Sequence, residues 1–284
     1  MIGPGAVGGT IATHLATARH EVVLAARTPR TRIEVETPEG VIGASFSTIV
    51  DPTKGVGAGY DWILVCTKAY DLAPTAKWLT ALRGAHTPVA VLQNGVEHRE
   101  RFAAHVPASQ ILPVVVECSA ERLAPERIRQ RNRARLVVPS GDLGGRFVAL
   151  FDRTGVEVSQ TSDWVSAAWR KLCLNVAGTV PALLARTNAV ARHEGAARVI
   201  RALVTECIAV GRAEGAVLED ALVDEVVTRM SRSDTTNSLT ADRMAGRPME
   251  IDARNGVLAR LGAKHGIATP VNALMVALLE AVQA

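Results

Sequence analysis

The sequence is poor in aromatic residues: Phe, Trp and Tyr make up 4% of its 284 positions. Aliphatic side chains must therefore build any core. Cysteine is scarce, with Cys66, Cys118, Cys173 and Cys207 only, and no pair has CxxC spacing. Each lies in an apolar stretch, so buried reduced thiols are expected rather than a disulfide framework or a zinc site. No apolar run approaches the roughly 18–20 residues of a membrane span. A glycine-rich turn begins at Gly3, where the charged start of a signal peptide would have to sit. These absences predict a cytoplasmic protein without a membrane partner. The net charge of +4 is mild. With no clustered basic face, a nucleic-acid partner is not expected. What remains, 48% apolar and 21% charged residues, is the balance of an ordinary globular protein, long enough for two domains.

The first half alternates short β-rich runs with helical patterns. Residues 21–26, 62–66, 89–92 and 111–116 read as strands, and helices are predicted near 7–16, 71–82 and 97–105. The runs are continuously apolar, which suits a parallel sheet covered on both faces. Residues 31–50 read as extra strand and turn, and 136–139 and 156–159 as late edge strands. From about residue 163 the pattern is helical: 164–184, 197–214, 219–232, 250–265 and 270–283. In the last, Thr269 stands as N-cap before Pro270. Val271, Leu274, Met275, Leu278 and Val282 then form an apolar stripe at helical spacing.

Gly3-Pro4-Gly5-Ala6-Val7-Gly8 fits GxGxxG and opens an apolar helix. The first glycine permits a tight turn and the second a close approach of pyrophosphate to the backbone. The third permits close helix–strand packing, and free N–H groups at the helix start attract an anion. Residues 3–8 are thus predicted to hold a dinucleotide. Only Met1 and Ile2 precede the turn, where a first strand usually supplies several residues. Either the sequence starts late or its central strand is truncated. At the end of the second strand, where an NAD enzyme carries an acid, stands Arg27, with Arg30 close by. A guanidinium can clamp a 2′-phosphate that a carboxylate would repel, so NADP(H) is favoured. Lys68 and Asn94 follow predicted strands directly, at the carboxyl ends where such sheets bind ligands. The expected fold is α/β, a Rossmann-type doubly wound sheet over residues 1–160 followed by an all-helical domain over 161–284.

In the helical half Lys171, Asn175 and Thr179 recur every four residues, stacked on one face of an apolar helix. Two readings stand: polar groups lining a cleft, or a lysine snorkelling to water. Ser238 reads as a helix N-cap, and Glu250 as a first-turn acid after Pro248.

In order and spacing these motifs resemble the ketopantoate reductase (2-dehydropantoate 2-reductase) family from end to end. The resemblance is carried by residues 3–9, Arg27, Cys66-Thr67-Lys68, Gln93-Asn94-Gly95, Ser119-Ala120-Glu121, Trp169-Arg170-Lys171 with Asn175, and Ser238 followed by Glu250-Ile251-Asp252. It implies an NADPH-dependent reductase of a 2-oxo acid, most directly of 2-dehydropantoate to pantoate in pantothenate and coenzyme A biosynthesis. It implies that Lys171 is the proton donor. Substrate contacts are implied at Asn94, Asn175, Thr179, Asn188 and Ser238. Cofactor contacts are implied at Arg27, Lys68, Asn94, Ala120 and Glu250. The family often has a second asparagine where this sequence has Thr179, and Asn188 aligns only across a one-residue gap. Two alternatives stay open: a reductase of a different 2-oxo acid, and a non-catalytic redox sensor that binds NADP(H). The sequence also allows a homodimer.

Overall fold

The computed structural model describes residues 1–54 and 59–284, which divide into two compact units. The first holds Met1–Gln93 and Glu97–Trp164. The second holds Val165–Ala284 together with the short segment Asn94–Val96. No described helix is long and apolar enough to cross a membrane.

The first unit is organised by a parallel sheet. Its strands are β1 (Val23–Ala25), β4 (Ser47–Ile49), β5 (Ile63–Val65), β6 (Val89–Val91) and β7 (Ile111–Pro113). β1 pairs with β4, β5 with β6, and β6 with β7, all parallel. Ile2 joins the two halves by bridging Ala25 and Val65. The Ile2 N–H donates to the Leu64 carbonyl and the Cys66 N–H to the Ile2 carbonyl (2.8 Å each), while the Ala25 N–H donates to the Met1 carbonyl. Met1 and Ile2 thus link β1 to β5.

Side chains alternate across a strand, and the sheet uses both faces. Ile63, Val65, Val89, Val91 and Ile111 bury against Trp78, Leu79 and Phe102, from helices α2 (Leu72–Leu82) and α3 (His98–Phe102). Leu64, Ala90 and Leu112 bury on the other side with Ile11 and Leu15 of α1 (Ala6–Thr17) and with Phe147 of α4 (Asp142–Leu150). The doubly covered parallel sheet is as expected.

The rest of the first unit meets expectation only in part. Residues 31–50 are strand and turn as expected, the antiparallel pair β2 (Arg32–Thr37) and β3 (Gly40–Ser45), besides β4. The run at 111–116 breaks into β7 and β8 (Val115–Glu117). Two strands were not foreseen: β9 (Ala120–Ala124) and β10 (Arg127–Gln130), which extend the β2–β3 pair in the order β3-β2-β10-β9. Their residues are mostly polar, because only Ile128 and Gln130 turn inward. Finally β11 (Arg135–Pro139) lies between β8 and β12 (Glu157–Thr161), so it is a central strand of that sheet and not an edge.

The second unit is helical: α5 (Trp164–Ala177, of which Trp164 belongs to the first unit), α6 (Thr179–Leu184), α7 (Glu194–Ala213), α8 (Leu222–Ser231), α9 (Ser238–Met244), α10 (Val257–His265) and α11 (Pro270–Gln283). The 20-residue α7 buries Ile200, Leu203, Val204, Cys207 and Ile208, a stripe at spacings of three and four, in the middle of the core. The single helix predicted over 164–184 is interrupted at Gly178. Before α10 the chain makes a π-helical turn, Asp252–Gly256, so Glu250 precedes the helix instead of standing in its first turn.

The α11 stripe is also corrected. Met275 and Leu279 point inward with Asn272, while Leu274, Leu278 and Val282 face solvent. Thr269 precedes Pro270 as expected but makes no capping bond. Glu206 of α7 takes that role, accepting from the N–H groups of Val271 and Asn272 at 2.9 Å each. All four cysteines are free. Cys173 and Cys207 are buried as expected, whereas Cys66 and Cys118 are half-buried.

Candidate active site

Each unit contributes a polar constellation. In the first, the glycine turn lies between the Ile2 bridge and α1. Gly3 has φ +78°, and a Cβ there would come within 2.8 Å of the Thr67 backbone nitrogen. A Cβ on Gly8 would meet the Gly3 carbonyl oxygen at 2.5 Å and the Cys66 Cβ at 2.8 Å. These two glycines are imposed by the protein itself. Gly5 is different: its φ is −71°, and a Cβ would find no atom nearer than 3.9 Å. The space above Gly5 is open, so an anion could reach the N–H groups of the first turn of α1 with no Cβ in the way. A dinucleotide pyrophosphate fits this cradle.

Arg122 of β9 adds to it, its Nη2 donating to the Pro4 carbonyl at 2.8 Å. Sequence reading missed this residue because it lies in a strand whose polar pattern did not reveal it. Ala120 is half-buried at the start of the same strand. Arg27 follows β1 and is exposed. Arg30 is engaged elsewhere, donating to the Pro125 carbonyl. Lys68, half-buried, follows β5 in extended conformation, and its carbonyl accepts from Gln93 Nε2 at 3.3 Å.

The second constellation is built on the segment Asn94–Val96, which packs with the helical unit. Asn175 of α5 donates through Nδ2 to Asn94 Oδ1 (3.3 Å), and Asn94 Nδ2 donates to Glu250 Oε2 (3.0 Å). Asn175 and Glu250 are buried. Asn94 is thereby fixed as to which end of its amide faces which neighbour. Lys171 is half-buried, one turn before Asn175 on α5.

Ser238 is not the cap expected of it. Asn237 is, its Oδ1 accepting from the N–H groups of Leu239 (2.9 Å) and Thr240 (3.1 Å). The Ser238 hydroxyl instead accepts from Arg254 Nη2 at 2.8 Å, while Arg254 Nη1 donates to the Asn175 carbonyl at 3.4 Å. Arg254 was also missed. In Asp252-Ala-Arg-Asn-Gly256 an arginine reads as a surface residue, since its burial depends on partners remote in sequence. Burial lowers its pKa, and the charges of Glu250 and Asp242 oppose that.

Asn94, Asn175, Ser238 and Glu250 are thus gathered around one network. Thr179 and Asn188 are engaged elsewhere. Thr179 is fully buried at the start of α6, beyond the break at Gly178, and its Oγ1 donates to the Val176 carbonyl at 2.5 Å. It therefore does not continue the α5 face. Asn188 accepts at Oδ1 from Asn237 Nδ2 (3.2 Å) and donates to Ser233 Oγ (3.4 Å).

Comparison with known proteins bears on both constellations. Residues 1–142 match the family described as ketopantoate reductase PanE/ApbA, and residues 163–283 match the C-terminal part of the same family. The chain belongs to the ketopantoate reductase family. A 2-dehydropantoate 2-reductase of Caulobacter vibrioides is 51% identical, covering 99% of this chain and 97% of its own. One from Mycobacterium tuberculosis is 40% identical over 99% of this chain and 96% of its own. A ketopantoate reductase family structure from Ralstonia eutropha superposes with a TM-score of 0.90 at 31% identity, covering 99% and 97% of the two chains. As a ketopantoate reductase family member the chain is an oxidoreductase acting on CH–OH groups, and the family depends on a nicotinamide dinucleotide. A D-mandelate dehydrogenase shares the ketopantoate reductase fold, with a TM-score of 0.89 at 21% identity.

Proposed function

We propose that this protein reduces 2-dehydropantoate to pantoate with NADPH, in the formation of pantothenate and coenzyme A. Residues 1–160 bind the cofactor and residues 161–284 bind the oxo acid. The observation that carries the reading is the Asn175–Asn94–Glu250 network with Lys171 one turn before Asn175, in a chain 51% identical to a named 2-dehydropantoate 2-reductase.

When bound, NADPH supplies a hydride for the C2 carbonyl. The residues that hold it are Gly3, Pro4, Gly5, Ala6, Val7 and Gly8, with Arg27 on the 2′-phosphate and Lys68, Asn94, Ala120 and Glu250 as further contacts. Lys171 does the acid work. Its ammonium stabilises negative charge as it develops on the carbonyl oxygen and then gives that oxygen a proton, a contribution typically of about 10²–10⁴-fold. Asn94 and Asn175 orient the reacting groups, and Ser238 donates to the substrate carboxylate. A homodimer is the proposed assembly, which light scattering would test.

A second reading keeps the chemistry and changes the acid. Thr179 supports it, because its hydroxyl is used on Val176 where family members often carry an amide. The fold is no arbiter, since D-mandelate dehydrogenase shares it. Turnover with NADPH across a panel of 2-oxo acids tests both. Highest kcat/KM on 2-dehydropantoate supports the first reading; a preference for another acid supports the second.

A further inference from the structure

Among the described residues Arg254 is the largest fully buried side chain, 2% exposed, and the largest such side chains otherwise are uncharged. Burying a guanidinium is costly unless it is paired and its donors are hydrogen-bonded. Its hydrogen bonds go to two neutral oxygens, the Ser238 hydroxyl and the Asn175 carbonyl, and its Nε finds no partner. Glu250 and Asp242 stabilise its charge. The residue sits in the π-helical turn Asp252–Gly256, where the Gly256 N–H donates to the Ile251 carbonyl at 3.2 Å. Such turns are frequent at functional sites.

Ser238 is exposed, while Arg254 behind it is buried. Since Asn237 caps α9, the Ser238 hydroxyl is released from that duty. Its oxygen accepts from Arg254, so its one proton is left to donate outward. A hydroxyl backed by a buried cation is a donor suited to an anion, and charge-assisted bonds of this kind are about twice as strong as neutral ones.

We propose that Arg254 is a positioning residue that sets substrate specificity: through Ser238 it makes the site select a carboxylate-bearing carbonyl compound over its neutral counterpart. This rests on the reading that Ser238 contacts the oxo acid. Arg254 acts on binding in the ground state, so its removal moves KM and leaves kcat nearly intact.

The test compares a 2-oxo acid with its neutral methyl ester, as alternative substrates or, where the ester is not turned over, with the ester as a competitive inhibitor. Arg254→Met keeps the length and removes the charge; Arg254→Lys keeps the charge. For Arg254→Met the KM of the acid should rise about 10–100-fold, as for loss of a hydrogen bond to a charged group. Its kcat should stay within a few-fold, and the ester should be little affected. Arg254→Lys should restore most of the preference for the acid. Should Arg254→Met fail to fold, Ser238→Ala removes the outward donor with the cation in place and should erase the same preference. Acid and ester losing kcat/KM together, or an unchanged acid-to-ester ratio in Arg254→Met or in Ser238→Ala, would overturn the proposal. A wild-type enzyme that reduces no 2-oxo acid would instead overturn the reading on which it rests.

Discussion

Two alanine substitutions in the same turn should have opposite consequences. Gly8→Ala places a Cβ 2.5 Å from a backbone oxygen and 2.8 Å from the Cys66 Cβ. Neither neighbour is the loose end of a side chain, so α1 must move away from the strand. Overpacking of this kind costs about 1–3 kcal/mol. Gly5→Ala meets nothing within 3.9 Å and needs no positive φ. Reduced freedom of the unfolded chain stabilises it by about 0.4–1 kcal/mol. Against this, Gly5 is the N-cap of α1, where alanine is worse than glycine by up to about 1 kcal/mol. The two effects nearly cancel, and the melting temperature should stay within about 2–4 °C of wild type. Affinity behaves the other way. On the proposed function the Cβ at position 5 would enter the space the pyrophosphate needs, so Gly5→Ala should weaken NADPH by at least about tenfold, the equivalent of one lost hydrogen bond. Thermal unfolding without cofactor, and titration of NADPH fluorescence, separate the two effects. Wild-type NADPH affinity in Gly5→Ala would refute the assignment of this turn as the pyrophosphate cradle. A wild-type melting temperature in Gly8→Ala would refute the packing argument.

Other expectations are as direct. Arg27→Ala should raise the KM for NADPH much more than that for NADH; equal effects would show that Arg27 does not read the 2′-phosphate. Lys171→Ala should lower kcat and kcat/KM together by about 10²–10⁴-fold with NADPH affinity nearly intact, and an unchanged kcat would return Lys171 to a snorkelling role. Burial pushes the His98 imidazole down to about 4, although it also bonds the Gln93 carbonyl. Below the ordinary value near 6.5 the unfolded chain takes up a proton that the folded chain refuses. Stability therefore falls as pH drops from about 6.5 to 4, by up to about 3 kcal/mol. His98→Phe, which keeps a ring against Trp164, should flatten the pH dependence of denaturant midpoints over that range. Burial likewise pushes the Cys66 thiol up to about 12, so iodoacetamide at pH 8 should leave it unlabelled in native protein, as read by mass spectrometry.

Much of this was legible without coordinates, where the cause is local. GxGxxG before an apolar helix states a backbone requirement, and Gly3 and Gly8 meet it through contacts with residues 3, 66 and 67. Continuous apolar runs at 62–66 and 89–92 declare a sheet buried on both faces, since a strand's two sides are set by alternation alone. Lys171 and Asn175 share a face because four residues make about one helical turn. The tertiary structure decided the rest. Ser238 looked like a cap because serine often is one; whether it caps depended on its neighbour Asn237, which took the N–H groups. Thr179 seemed to extend the Lys171–Asn175 face until the chain broke at Gly178. The exposed side of α11 was decided by its packing on α6, α7 and the π-helical turn. Arg254 is the sharpest case. Its burial and its bond to Ser238, 16 positions away, come from the packing of α5, α9 and the π-helical turn, and no sequence period marks a charge that remote partners will enclose.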